Sequence, residues 1–438
     1  MNTQGIGNGI GRIAAALLAV VWLAGCGANG GQPGVVTLTF WEWWADQQDI
    51  LVSLADEYTE RTGVEVRFEL SAPAGSEYFN KVQASAQANT LPDIIGLAGG
   101  GEFLARYINA DKIYEITNEL NADNYEWRNT FFPRALEAFH YPEGNVYGVK
   151  PDSFWGLPIS VMNIQIFYHK DLFRQAGLDP EDPPTTWREF LAVGKKLSDA
   201  GIPPFIVGFG DLWIDYTFFD AYTWTYLGKD NMRKLYQGDL AYTNPGCVGA
   251  LERVVDLREN EMLYPGAVSM ANKEAEVNFA NRKAAMMLNG SWAVNVYYGL
   301  QEDLDLGVFP FPKPEESEHP MYLVGGVGKG CAVTTNSDYP EQAVAFLRWF
   351  LDKEQQVRLA KEAKVIPANY EAMDDLDPLL KNFAKGMRNL TPDLKLEEKF
   401  EVREIISKGM QSILIGEATP DEVAEDAWET KQRVMEAP

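Results

Sequence analysis

The sequence predicts an α/β protein built as two lobes, and three observations carry that expectation. A strand–helix–strand–helix–strand order opens the globular body from residue 35, which calls for a parallel sheet covered by helices. The four hundred or so residues of that body exceed what one hydrophobic core ordinarily supports. Hydrophobic side chains make up 46% of the chain, enough for two cores, and with only three cysteines no disulfide framework stands in for one.

The elements justify this in order. Arg12 precedes an unbroken apolar run, Ile13 to Leu23, too short to span a bilayer as a helix of ~20 residues. Leu23-Ala24-Gly25-Cys26 follows and resembles the lipobox of bacterial lipoproteins. Residues 1–25 are therefore expected to be a cleaved signal peptide, with Cys26 the lipidated first residue of the mature chain. Two acyl chains on that cysteine would anchor stably where one would not. Gly27 to Gly34 is glycine-rich and lacks large apolar side chains, so 26–34 reads as a flexible tether.

Val35 to Trp41 is β-branched and aromatic, hence a strand. Gln47 to Arg61 places Ile50, Leu51, Leu54 and Tyr58 on one helical face, and Gly63 stops it. Val64 to Leu70 alternates as a strand, Phe79 to Ala88 is helical, and Asp93 to Leu97 is a short buried strand. Further strands are expected at Gly156–Tyr168, Pro204–Phe209, Ala284–Leu288 and Val327–Thr334, with helices between. Trp127, Trp224 and Trp349 fall in helical patterns and belong in the core. Phe309 to Pro320 and Lys150 to Ser153 read as exposed connections. Crossings near 155–160, 310–323 and 373 would make two discontinuous lobes, 35–159 with 324–373 and 160–323 with 374–438.

The net charge of −25 makes nucleic acid a poor partner, since an acidic body repels phosphate backbones. Enzyme signatures fail one by one. His140, His169 and His319 have no metal spacing and read as surface residues. Gly326 to Gly330 superficially resembles a phosphate loop, but Leu323 stands where its first glycine is needed and Gly330 where a magnesium-binding hydroxyl is needed. There is no G-x-S-x-G elbow, and the acidic clusters Asp303/Asp305 and Asp374/Asp375/Asp377 suit turns. No metal, cofactor or catalytic residue is expected.

What remains is aromatic. Trp43 and Trp44 follow the first strand beside Glu42. Trp213 follows the Phe205–Phe209 strand between Asp211 and Asp215, and Trp292 follows the Ala284–Leu288 strand near Asn289. Open sheets bind ligands at the carboxyl ends of their strands, and a sugar offers C–H faces for stacking and hydroxyls for hydrogen bonds. Core packing is the competing role for each tryptophan. The same rings could cage a quaternary ammonium. Gly99-Gly100-Gly101, followed by Glu102, would allow close backbone approach or simply make a tight turn.

The chain is similar to the family 1 extracellular solute-binding proteins, the group that includes the maltose-binding protein. The resemblance rests on Leu91-Pro92-Asp93-Ile94-Ile95, on Gly156-Leu157-Pro158-Ile159-Ser160 with Phe167 to Phe173 and Pro184 to Trp187, on Lys283 to Met287 with Asn289 to Trp292, and on Gly325-Gly326 before Pro340 to Trp349. It implies a periplasmic-binding-protein-like (type II) fold whose two lobes close on a hinge around the ligand. It also implies an extracytoplasmic monomer that delivers a carbohydrate to ABC transporter permease subunits. Trp292 lies at the position of a sugar-stacking tryptophan, and Ser160 to Asn163 lies where cleft polar groups are placed. Three features depart from the family: His169 replaces an asparagine, Tyr147 to Ser153 is extra sequence, and Met162 stands where the maltose binder has a carboxylate. Candidate ligand residues are thus Glu42, Trp43, Trp44, Glu102, Ser160, Asn163, Asp211, Trp213, Asp215, Asn289, Trp292 and Gly326. A betaine or polyamine binder, a secreted glycoside hydrolase and a receptor feeding a sensor kinase are the other readings.

Overall fold

Strand β1 (Thr37–Glu42) alternates so that Leu38, Phe40 and Glu42 turn inward while Thr37, Thr39 and Trp41 are half-buried on the other face. The computed structural model describes residues 35–436 except 72–74, 393 and 395. The expected signal peptide, Cys26 and tether lie outside the described residues. The helix Gln48–Thr62 packs Ile50, Leu51, Leu54, Ala55 and Tyr58 onto the sheet and ends at Gly63, whose φ of +75° fits the left-handed cap. Strands β2 (Glu65–Leu70) and β3 (Ile94–Leu97) flank β1 in parallel, as the alternating order predicts.

Beyond β3 the sheet departs from the all-parallel expectation. The strands that follow are β4 (His140–Tyr141), β5 (Ser153–Phe154), β6 (Leu157–His169), β7 (Phe205–Ile206), β8 (Met286–Gly290), β9 (Leu306–Phe309), β10 (Gly325–Val333) and β11 (Ile366–Pro367). The main sheet runs β2-β1-β3-β10-β6-β8-β7, with β9 and β11 also on β6. β10 is antiparallel to both β3 and β6, and β6 is antiparallel to β8, β9 and β11. The chain reaches β10 only after completing the second half of the sheet, so it enters from the opposite end.

β6 belongs to both halves. Leu157 to Asn163 pair with β10, and Ile164 to Tyr168 pair with β8. Residues from Val36 onward form one compact unit, so the halves are joined along this strand rather than through a loose linker. Every residue of β6 is buried except Met162, which is half-buried where the partners change. This mixed sheet, shared by two halves through one strand, fits the periplasmic-binding-protein-like α/β fold that the resemblance implies.

Three local expectations are corrected. Phe309 to Pro320 is exposed only in part: Pro310, Glu315, Glu316, Glu318 and Pro320 are, but Phe309 and Phe311 are buried, and Ser317 Oγ donates to the Thr225 carbonyl. Ser153, placed in an exposed connection by the sequence, is fully buried in β5. His169 is not a surface residue; burial pushes its imidazole down to about 4, and its Nε2 lies 2.8 Å from the Phe279 carbonyl. Trp127 and Trp224 are core residues as predicted, and Trp349 is half-buried. Cys247 and Cys331 are buried free thiols. Among the described residues no helix is long and apolar enough to cross a membrane.

Candidate functional site

The tryptophans at strand ends gather into two groups. In the first, Trp213 opens the helix Leu212–Gln237 and Trp292 sits just beyond β8; their rings lie 5.7 Å apart at 58°, and both are half-buried. A side chain at Gly290 could not coexist with this arrangement, since its Cβ would fall 2.0 Å from the Trp292 ring. The strand-terminal glycine thus lets the indole settle directly on the backbone.

A buried polar chain holds this pair in place. The Asp211 carboxylate accepts the Asn272 main-chain N–H at 2.8 Å, tying the start of the Leu212 helix to the start of the helix Asn272–Ala280. Asn272 Nδ2 donates to Glu276 Oε1 at 3.0 Å, and Asn289 Nδ2 donates to the same oxygen at 3.0 Å. Lys273 reaches the other oxygen at 2.8 Å. Glu276 is only 1% exposed, and three side-chain donors, from Asn272, Asn289 and Lys273, occupy its two oxygens. Asn289 Oδ1 then accepts the Gly290 N–H, fixing the turn that delivers Trp292. Glu276 and Asn272 were not singled out from sequence; both lie within a helix whose pattern shows nothing unusual.

Asp215 stands behind Trp213, fully buried, with Gln411 donating to Oδ2 at 3.3 Å. Burial pushes its carboxyl up to about 9, outweighing the Gln411 hydrogen bond that favours the anion, and Asp211 adds to the rise. Gln411 also donates to the Phe209 carbonyl at 2.6 Å, which brings the helix Phe400–Ile415 to the site.

The second group closes the end of β1. Trp43 is half-buried against Tyr78, Phe79 and Trp44, with ring centroids 4.8, 5.0 and 5.4 Å away. Phe79 continues to Phe103 at 5.0 Å, next to Glu102. Trp44 is 1% exposed and packs edge-on to Phe40, a core position. Glu42 is fully buried, accepting from the Trp44 N–H and from Gln48 Nε2.

The remaining predicted residues separate by depth. Asn163 is buried and donates to the Phe383 carbonyl at 2.8 Å while accepting from Gln165 at 2.8 Å. Ser160, 4% exposed, faces the glycine run of β10: a Cβ at Gly328 would lie 3.0 Å from its Oγ. Gly326 is half-buried opposite Met162. Glu102 is exposed and lines a cavity of about 700 Å³ with Arg106, Tyr147, Glu397, Phe400 and Arg403. Trp43, Glu102, Asp211, Trp213, Trp292 and Gly326 therefore offer surface, whereas Glu42, Trp44, Asn163, Asp215 and Asn289 support it from below. Among the described residues no group of three or more His, Cys, Asp or Glu side chains is arranged to hold a metal ion.

Comparison with known proteins gives a consistent picture. A family model described as bacterial extracellular solute-binding protein matches residues 44–357. An uncharacterized ABC transporter extracellular-binding protein of Pyrococcus horikoshii is 24% identical over 363 residues, 81% of this chain and 76% of that one. The sn-glycerol-3-phosphate-binding periplasmic protein of Brucella melitensis is 22% identical over 361 residues, 78% of this chain and 79% of its own length. Among solved structures, an ABC transporter solute-binding protein of Thermotoga lettingae bound with α-D-tagatose superimposes with a TM-score of 0.72 at 19% identity. That match covers 91% of this chain and 100% of the other.

Proposed function

Given that the chain belongs to the bacterial extracellular solute-binding proteins, a family of binding proteins rather than enzymes, we propose that it captures a sugar or oligosaccharide and passes it to the permease of an ABC importer. The observation carrying the sugar reading is the half-buried Trp213–Trp292 pair, set on a rigid polar network. Indole faces stack on sugar C–H surfaces, while Asp211 at the rim can exchange hydrogen bonds with hydroxyls. In this reading Trp43, Glu102 and Gly326 contribute from lobe 35–159/324–373, and Ser160 and the tryptophan pair from lobe 160–323/374–438. The lobes swing about β6, because contacts to both form only when the cleft is shut. The lipobox-like Leu23-Ala24-Gly25-Cys26 supplies a membrane tether.

The test is a calorimetric and thermal-shift screen of the mature protein over mono- and oligosaccharides, betaines and polyamines. A solute at a hundredfold its Kd adds ~2.7 kcal/mol to the native state. The reading requires that a carbohydrate gives this shift, is recovered chemically unchanged, and gives only about a third of it in Trp292→Ala at the same concentration. Shifts confined to betaines or polyamines would replace the sugar, and cleavage of the bound glycan would refute a pure binding role.

A further inference from the structure

Away from the tryptophan pair, two concavities of about 840 and 740 Å³ share Pro133, Arg134 and Tyr370, forming one elongated groove. Its charge is inverted relative to the rest of the molecule. Arg128, Arg134, Lys381, Lys385 and Arg388 line it against Glu137 and Asp374, in a chain with 38 basic and 63 acidic residues. Glu137 is already engaged by Arg134 at 2.9 Å. The other cations meet neutral acceptors: Lys381 donates to the Asp374 main-chain carbonyl, Lys385 to the Asn382 side-chain oxygen and Arg128 to that of Asn121. Among the described residues, Arg128, Lys381, Lys385 and Arg388 have no carboxylate at ion-pair distance.

A structural explanation covers part of this. Lys385 and Arg388 lie at the carboxyl end of the helix Pro378–Gly386, where the helix dipole favours cations. It does not cover Arg128 and Arg134, which come from a separate part of the chain, nor the apolar floor of Phe132, Met373 and Met387 between them. Tyr125 and Tyr370 are each 46% exposed on the same groove. Exposed tyrosines with arginines around an apolar strip that includes methionine is the composition that distinguishes the centres of protein–protein interfaces from ordinary surface.

We propose that this groove docks an acidic, amphipathic segment of a partner protein, its apolar side chains on the Phe132–Met387 floor and its carboxylates on the rim. Charge complementarity selects the acidic sequence, and the two joined concavities select an extended chain. A planar membrane surface suits the groove less well, because Met387 is buried at its base and lipid headgroups would reach only the rim lysines. No residue of the groove belongs to the tryptophan site, and its two sides fall in the two proposed lobes, residues 125–154 with 370–373 in one and 374–388 in the other.

The test uses the mature chain, with a fluorescein-labelled short peptide alternating Glu or Asp with Leu and Phe, and its Gln/Asn counterpart of equal apolar content. The acidic peptide should bind, about tenfold or more weakly to the K381E/K385E/R388E variant, and more weakly as salt is raised. The neutral peptide should not bind, and melting temperature and solute titration should be unchanged in the variant. A milder K385Q/R388Q variant should lose affinity in the same direction. Equal binding of the two peptides, no binding of the acidic one, or unaltered binding by the charge-reversed variant would overturn the proposal. So would binding to phosphatidylglycerol vesicles, lost in the variant, in place of the peptide.

Discussion

Asp215 enters the fold as an acid rather than as its anion. Its carboxyl is raised to about 9 by burial, so between the ordinary carboxylate range and about pH 9 the folded chain holds a proton that the unfolded chain has released. Stability from this group is full below about pH 4 and is lost as pH rises, by at most ~1.4 kcal/mol per unit. Asp215→Asn, which copies the protonated shape, should flatten the fall of melting temperature from neutral to alkaline pH. His169 works with the opposite sign: lowered to about 4, it stays neutral in the fold and costs stability as pH drops below about 6.5. His169→Gln should therefore narrow the acid-side loss in a pH series of urea melts. At the site, Trp292→Ala should weaken solute binding by ~2 kcal/mol, about thirtyfold in Kd, leaving the apo melting point nearly unchanged. Trp213 and Trp292 were legible in the sequence because each follows a strand signal. Glu276 and Gln411 were not, because what singles them out is a partner in another element, Asn289 in β8 for one and Asp215 in the helix Leu212–Gln237 for the other.

At the scale of elements, the helix Leu212–Gln237 is interrupted at Gly228, where φ is +67° and ψ 176°. A Cβ there would lie 2.6 Å from the His319 ring. Gly228→Ala should cost ~2 kcal/mol in denaturant melts, and adding His319→Ala should relieve the clash but not the backbone strain. The helix Pro420–Glu436 is pinned by a buried ion pair: Lys431 Nζ sits 2.7 Å from Glu398 Oε1, both side chains nearly inaccessible, while the Tyr242 hydroxyl donates to the other oxygen. Lys431→Met should destabilise by about 3–5 kcal/mol, and pairing it with Glu398→Leu should recover part of that, because the lone buried carboxylate is then gone. Strands β1, β2, β3, β6, β8 and β10 were readable from β-branched, aromatic or apolar runs. β7 proved shorter than Pro204–Phe209, as a Cβ at Gly208 or Gly210 would strike the Asn272 or Ser269–Met270 backbone, so the chain there is shaped by contact and not by pairing. β9 was missed because Leu306–Phe309 is four residues long and follows an acidic turn. The antiparallel placement of β10 could not be read locally, since its neighbours β3 and β6 lie more than 150 residues earlier in the chain.

For the whole molecule, the solute-binding reading demands a change of shape. Saturating carbohydrate should lower the radius of gyration seen by small-angle scattering, and Trp292→Ala should need about thirtyfold more solute for the same change. The sharing of β6 between both halves of the sheet has a genetic corollary. Each half takes an inner strand from the same thirteen residues, so no single cut yields two self-sufficient genes. A fragment ending at Met162 would leave both pieces with an unpaired ladder and a torn core. Such a protein diversifies by exchanging loops and rim side chains, not by trading halves with its relatives.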